Sequence, residues 1–365
     1  MEIVSQEAIL ELQALMNSVD EPLNRTFQLL FPNWDCAHRF WKSLGRCRFL
    51  SVPYLQTRKN VHQGFRAETL VRFLKAREWN VAKAHKMLVE CLHWRVQNNI
   101  DEIFTKPIVP TELYRAVRDS QLIGMSGYSR EGLPVFAIGV GLSTLDKASV
   151  HYYVQSHIQI NEYRDRVILP SASNKHGRPI TTCIKVLDMT GLKLSALSQI
   201  KLMTIITTID DLNYPEKTNT YYVVNAPYIF SACWKVVKPL LQERTRKKIQ
   251  VLPGCGRDEL LKIMDFKSLP HFCRKEGSGS SRHSENENCY SLDHPFHQQL
   301  YNYIKQQSLI TKPAQPIKQG SFHVDLPEPA AEGTEITKSL ESELQKIDKG
   351  NWLSKSISGI KTDDD

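Results

Sequence analysis

The chain has 365 residues, of which 41% are hydrophobic and 24% charged, with a formal charge of +8. These values suit an ordinary globular protein with one large domain plus extensions, or two domains. They exclude a bilayer-spanning helix, because no run approaches the ~18 apolar residues that need requires. Eight cysteines without a tight framework point to reduced thiols in a cytosolic setting. Six cations (Arg39, Lys42, Arg46, Arg48, Arg58 and Lys59) against Asp35 put a local +5 into residues 29–59, leaving only +3 for the rest. A globally basic nucleic-acid surface is therefore not indicated.

The opening "MEIVSQEAILELQALMNSVDEPL" has acids where a signal peptide needs base. It reads as a short amphipathic helix carrying Ile9, Leu12, Leu15 and Met16. Residues 29–59 are aromatic and basic without periodicity, and the family resemblance given below implies that they are an inserted segment. The competing reading is a membrane-surface element, since Trp34, Phe40 and Trp41 interleave with Arg and Lys. "RAETLVRFLKAREWNVAKAHKMLVECLHWRVQNN" (66–99) predicts two helices broken at Trp79-Asn80, with Asn80 as N-cap of the second. The first buries Leu70, Phe73 and Leu74; the second turns Ala84, Met87, Leu88, Cys91, Leu92 and Trp94 inward.

Beyond residue 120 strands and helices alternate. Strands are predicted at 132–141, 180–189, 220–227 and 248–252, and helices at 147–169, 194–212, 228–242 and 257–266. This alternation predicts an α/β domain with a mainly parallel sheet. "KEGSGSSRHSENEN" (275–288) reads as a polar linker, followed by helices at 296–307 and 335–347 in an otherwise largely disordered tail. The expected organisation is 1–60, an N-terminal helix plus the insert; 61–105, a helical lobe; 106–273, the α/β lobe; and 274–365, linker and tail.

Motifs for catalysis are lacking. There is no G-x-S-x-G elbow, Walker A loop, C-x-x-C or H-E-x-x-H. Cys36, His38 and Cys47 fit no common zinc spacing, so no metal is expected. Cys255 lies between two glycines with no assignable base, and His151 and His157 do not share a helix face. The expectation is a protein that is not an enzyme.

The ionisable residues in unusual company are Arg77 in "LKARE", Glu216 after Tyr214-Pro215, and Thr245 and Lys248 in "ERTRKKIQVL". Taken alone, Arg77 reads as a solvated helix end and Glu216 as a cap. A parallel crossover would bring Glu216 and Lys248 together. The basic run itself is open between a nucleic-acid patch, a localisation signal, a solvated helix end and an anion site.

"TLVRFLKAREWNVAKAHKML", "VLDMTGLKL", "DDLNYPEKTNTYYVVNAP", "FSACWKVVKPLL" and "TRKKIQVL" resemble, in order, the CRAL-TRIO lipid-binding family, most closely its plant-type phosphatidylinositol/phosphatidylcholine transfer branch. The resemblance covers roughly 61–273, with short matches near 1–27 and at "CYSLDHPFHQQLYNYIKQQ". It implies a helical lobe on an α/β lobe whose sheet floors an apolar lipid pocket closed by a helical lid. Family positions for the phosphatidylinositol headgroup fall on Arg77, Glu216, Thr245 and Lys248. A phosphodiester suits Lys248 and Thr245, and inositol hydroxyls suit Glu216. Arg244, Arg246 and Lys247 then face water or membrane.

The lid falls on 228–242, with Phe230, Trp234, Val237 and Leu240 as membrane-contact residues; the competing reading of that apolar stripe is core. The family's phosphatidylcholine contacts fall on Cys183, Lys185 and Phe136, a poor match that favours the inositol lipid and leaves a second ligand open. The implied function is binding and transfer of a phospholipid, without a cofactor, by a monomer that is cytoplasmic and transiently membrane-bound. The alternatives are a phosphoinositide sensor that presents lipid to a lipid kinase, and a nucleic-acid binder.

Overall fold

The computed structural model describes residues 2–20, 66–192, 199–228, 243–274 and 288–310, with positions 23, 230, 234, 238 and 342. The segment 29–59, Val237, Leu240 and the predicted helix at 335–347 lie outside them, apart from position 342.

Three helices form the N-terminal lobe: α1 (Glu2–Asn17), α2 (Arg66–Ala76) and α3 (Val81–Gln97). They meet through Leu12, Met16, Leu70, Phe73, Leu74, Met87, Leu88 and Leu92, all buried, so α1 shares the core of the lobe that was expected to start at 61. Glu78 and Trp79 take positive φ and break the helix, and Asn80 caps α3 by accepting from the Lys83 N–H at 2.9 Å. Trp94, expected inside, is only half-buried.

After the short turn Ile100–Thr105 come α4 (Thr111–Gln121), β1 (Ile123–Tyr128) and β2 (Pro134–Gly139). Then follow α5 (Val150–Tyr163), a π-turn (Arg164–Ile168), α6 (Leu169–His176), β3 (Cys183–Asp188), α7 (Ile200–Asn213) and β4 (Thr218–Val224). The domain continues with α8 (Glu243–Arg246), β5 (Ile249–Val251), α9 (Arg257–Leu261) and α10 (Pro295–Ile310). The strands run in sequential order, β1 antiparallel to β2 and the rest parallel.

Sequential parallel strands joined by right-handed crossovers place their helices on one face. Phe136 and Cys183 accordingly join Tyr153, Val154 and Ile158 of α5 and Leu202, Ile205 and Ile209 of α7 in one core. Val135, Ala137, Ile184, Val186 and Val224 point the other way, against Leu260, Met264, Phe272 and Tyr290. The two faces are covered unequally. Those five residues of the second face are at most 3% exposed. On the helix-bearing face Ile138, Leu187, Tyr221 and Ile249 are half-buried, and Val251 is 46% exposed. On the same face Phe136, Cys183 and Val223 are at most 3% exposed, so among its described apolar strand residues it opens to solvent only at Val251 on β5.

Three expectations change. The helix predicted at 257–266 ends at Leu261, because the Ile263 carbonyl accepts from the Arg130 N–H and Met264 bridges to Ser129. Strand β1 went unpredicted, being rich in Gly and Ser; a Cβ on Gly124 would fall within 1.8 Å of the Cys289 carbonyl oxygen. That contact announces the third change. Residues 288–310 were assigned to linker and tail, yet Phe296, Leu300 and Ile304 of α10 lie at 5%, 0% and 2% exposure in the main core.

If α10 belongs to the domain, Leu300→Ala should lower the unfolding free energy by about 2–5 kcal/mol. The neighbouring exposed Gln299→Ala should change it by less than about 0.5 kcal/mol. Urea unfolding measures both, and a similarly small effect of the two would place α10 outside the cooperative unit.

Candidate functional site

The site is built where α2 of the helical lobe meets the turn into β4 and the start of β5. Glu216 sits in that turn with φ +58°, a conformation a non-glycine residue holds only under constraint. The constraint comes from below: buried Arg72 of α2 donates to the Pro215 carbonyl at 3.3 Å. Lys248 immediately precedes β5. Its carbonyl accepts from the Tyr221 N–H at 2.8 Å, and its own N–H bonds the Thr245 carbonyl at 3.0 Å. These backbone bonds hold the Lys248 ammonium 2.7 Å from Glu216 Oε2. Lys248 and Glu216 are 27% and 17% exposed, a pair shielded yet open to a ligand.

Two predicted positions are thus in direct contact, and a third, half-buried Thr245, lies one turn away on α8. Arg77 turns to the end of its own helix. Its guanidinium donates to the Ala76 carbonyl at 3.0 Å, and burial, with nearby Arg244, lowers its pKa. The partner of Glu216 is Arg244 instead, with Nε 3.7 Å from Oε1 and Nη1 donating to the Lys75 carbonyl. Arg244, expected to face water or membrane, therefore bridges the lobes at the site. Arg246 is half-buried as well; of the three cations expected outside, only Lys247 is well exposed, paired with Glu243 at 2.7 Å. Helix α8 points its alternate cations in different directions, which a run of letters does not reveal. Of the lid residues within the described structure, Phe230 and Trp234 stack at 5.9 Å with rings 15° apart, and both are half-buried.

Beneath the site lies a layer of buried charge. Arg95 of α3 forms two bonds to Glu162 of α5, at 2.8 and 3.1 Å; Arg166 reaches the same carboxylate at 2.6 Å, and the Tyr214 hydroxyl donates to it at 2.7 Å. Burial alone would raise Glu162, but Arg95 and Arg166 more than offset it and bring its pKa to about 2. Arg164 pairs with Asp165 at 2.7 Å, and Lys217 reaches that carboxylate at 3.2 Å. The π-turn directs Arg164 and Arg166 inward together, a use of π-geometry common near functional sites. Asp210 of α7 takes His157 and Asn161 at 2.7 Å each and Lys185 of β3 at 3.5 Å. Sequence reading passed over Arg72, Lys217 and this layer; charged residues inside apolar helical stretches were the available signal. Among the described residues no His, Cys, Asp and Glu group suits a metal ion.

Residues 118–273 match the CRAL/TRIO domain, and residues 8–90 match the CRAL/TRIO N-terminal domain. The chain belongs to the CRAL/TRIO family. The helical lobe and the sheet with its one-sided helices are thus this family's two matched regions. The chain is 32% identical over 222 residues to the phosphatidylinositol/phosphatidylcholine transfer protein SFH9 of Arabidopsis thaliana, covering 57% of this chain and 38% of that protein. It is 30% identical over 209 residues to the SEC14 cytosolic factor of Eremothecium gossypii, covering 55% of this chain and 67% of that one. The chain thus spans about two fifths of the Arabidopsis relative. The crystal structure of Sfh5 shares the fold, with a TM-score of 0.52 and 17% identity, over 84% of this chain and 97% of that one.

Lys217 supplies a test of the buried layer. Burial, with Arg72 beside it, brings its pKa from 10.5 to about 7. Between those values the unfolded chain keeps a proton that the folded chain has released, so stability should rise with pH across that window. The urea midpoint of the wild type should increase from pH 7 to 10 more than that of Lys217→Met; parallel curves would show that Lys217 stays charged in the fold.

Proposed function

We propose that this CRAL/TRIO protein binds one phospholipid, phosphatidylinositol, and exchanges it at membranes. The observation that carries the reading is the Glu216–Lys248 pair, 2.7 Å apart, beside an apolar sheet face whose β5 edge is exposed at Val251. A phosphodiester takes the ammonium of Lys248 and the hydroxyl of Thr245, and the inositol hydroxyls donate to Glu216. Glu216 stays oriented through the exchange because Arg244, 3.7 Å from its Oε1, remains beside it when Lys248 turns to the phosphate. Arg77, with Arg244, supplies further positive charge at the headgroup. The acyl chains cover the exposed edge of the sheet toward β5, and burial of that apolar surface provides the driving force.

Release requires the apolar cover to open in contact with a bilayer. The segment 228–242, a helix by its sequence pattern and mostly outside the described residues, is the lid in this reading, with Phe230, Trp234, Val237 and Leu240 meeting the membrane. Tyr228, 83% exposed at its start, extends the same surface. Among the described residues no helix is long and apolar enough to cross a membrane, in keeping with transient surface binding. No chemical step is invoked: the residues bind, orient and release. The names of the two relatives, a phosphatidylinositol/phosphatidylcholine transfer protein and a cytosolic factor, support this reading and a cytoplasmic location.

Native mass spectrometry of the purified protein should show bound phosphatidylinositol. Lys248→Ala should reduce phosphatidylinositol exchange between vesicles by roughly tenfold or more, the size of a lost charge-assisted bond, with the thermal midpoint little changed. Arg244→Ala should cause a smaller loss. Wild-type exchange by Lys248→Ala, or a purified protein that neither carries nor takes up the lipid, would overturn the reading.

A further inference from the structure

The helix-bearing face of the sheet holds one cation among its described strand residues. Its members on β2, β3 and β4 are Phe136, Ile138, Cys183, Leu187, Tyr221 and Val223, and among them stands Lys185, registered between Phe136 and Tyr221. Lys185 is only 14% exposed, and its ammonium lies 5.6 Å above the Tyr221 ring. An ammonium on an apolar floor is costly unless something repays its desolvation. Asp210 repays it in part. That carboxylate is engaged more tightly elsewhere: one oxygen takes His157 and Asn161 at 2.7 Å each, while the other meets Lys185 at 3.5 Å, long for a charge-assisted bond. An ammonium has three donors, and this one makes a single long bond and one contact with a ring face. Burial pulls the Lys185 pKa down, yet Tyr221 and Asp210 outweigh it and leave it raised, so the group stays charged.

The charge is also placed with respect to the headgroup cluster. Tyr221 is the β4 partner of Lys185 and bonds the Lys248 carbonyl. Lys185 therefore lies two strands, or about 10 Å, from the backbone of Lys248 on one sheet.

We propose that Lys185 is a second polar anchor on this face, binding an anionic oxygen of a lipid and making the site prefer an acid-headed lipid over a choline-headed one. The proposal rests on the lipid-binding reading above but not on Lys248 or on the inositol headgroup. An ammonium with spare donors in a poorly solvated setting gains most from a phosphate monoester or carboxylate, and it opposes a quaternary ammonium, which offers no acceptor and carries the same charge.

The test uses the full chain and vesicles doped with labelled phosphatidic acid, phosphatidylcholine or phosphatidylinositol. Wild type should take up phosphatidic acid over phosphatidylcholine by roughly tenfold or more, the worth of a bond to a charged group. Lys185→Met should bring that ratio near unity, Lys185→Arg should keep it, and phosphatidylinositol uptake should stay within about twofold in both, as expected for a site two strands away. A wild type without the preference would overturn the proposal whatever the variants do. So would a folded Lys185→Met with an unchanged ratio. Loss of phosphatidylinositol uptake by wild type, with the acid preference intact, would instead overturn the inositol reading alone.

Discussion

The organisation of the domain depends on charges that must be paired because they are buried. Glu162 lies at 0% side-chain exposure with Arg95, also at 0%, and Arg166 at 3%. Three elements distant in sequence supply this one cluster: α3 of the helical lobe, α5 with its π-turn, and the end of α7 through Tyr214. Removing any partner would strand an ion where water cannot reach it, a penalty of several kcal/mol. The pairing therefore fixes how the helical lobe sits on the sheet. It also supports the turn that carries Glu216, since Tyr214 and Lys217 flank that turn and are both tied into the layer.

Above this layer the same electrostatics becomes usable. Glu216 and Lys248 keep 17% and 27% exposure, so their charges are strengthened by partial burial yet remain within reach of a ligand. Arg244 links the site to the C-terminal end of α2 through the Lys75 carbonyl. A ligand that competes for Lys248 or Arg244 would thus be felt at the seam between the lobes. The uneven cover of the sheet completes the arrangement. One face is sealed by α9, the 3₁₀ turns after it and residues near Tyr290, while the helix-bearing face stays partly open toward β5. Polar anchors at one end of an apolar surface are the requirement for holding an amphiphile.

Much of this was legible in the residues. Helices α2 and α3 follow from apolar spacing and the Asn80 cap, and all four parallel strands from short apolar runs. Strand β1 was not, because Gly124 and Gly127 suit close neighbours rather than a strand, and those neighbours, Cys289 and Ser268, each lie more than 140 residues away. Helix α10 was read as a helix but assigned to the tail, since a linker of Gly and Ser before it says nothing about what lies after. In the basic run, Lys248 and Arg244 turn toward Glu216 while Lys247 turns to solvent, a distinction set by the single turn of α8.

Local propensity and periodicity, which act over a few residues, determined the two-lobe α/β architecture, because apolar spacing and strand order are written along the chain, while the family resemblance marked Glu216 and Lys248 as candidates. Tertiary structure decided which cation stands beside Glu216, that Arg77 does not, that residues 288–310 belong to the core, and that Lys185 stands on an otherwise apolar floor. Each of these depends on distances between residues remote in sequence. Desolvation and Coulomb energy depend on those distances, and a linear pattern does not contain them.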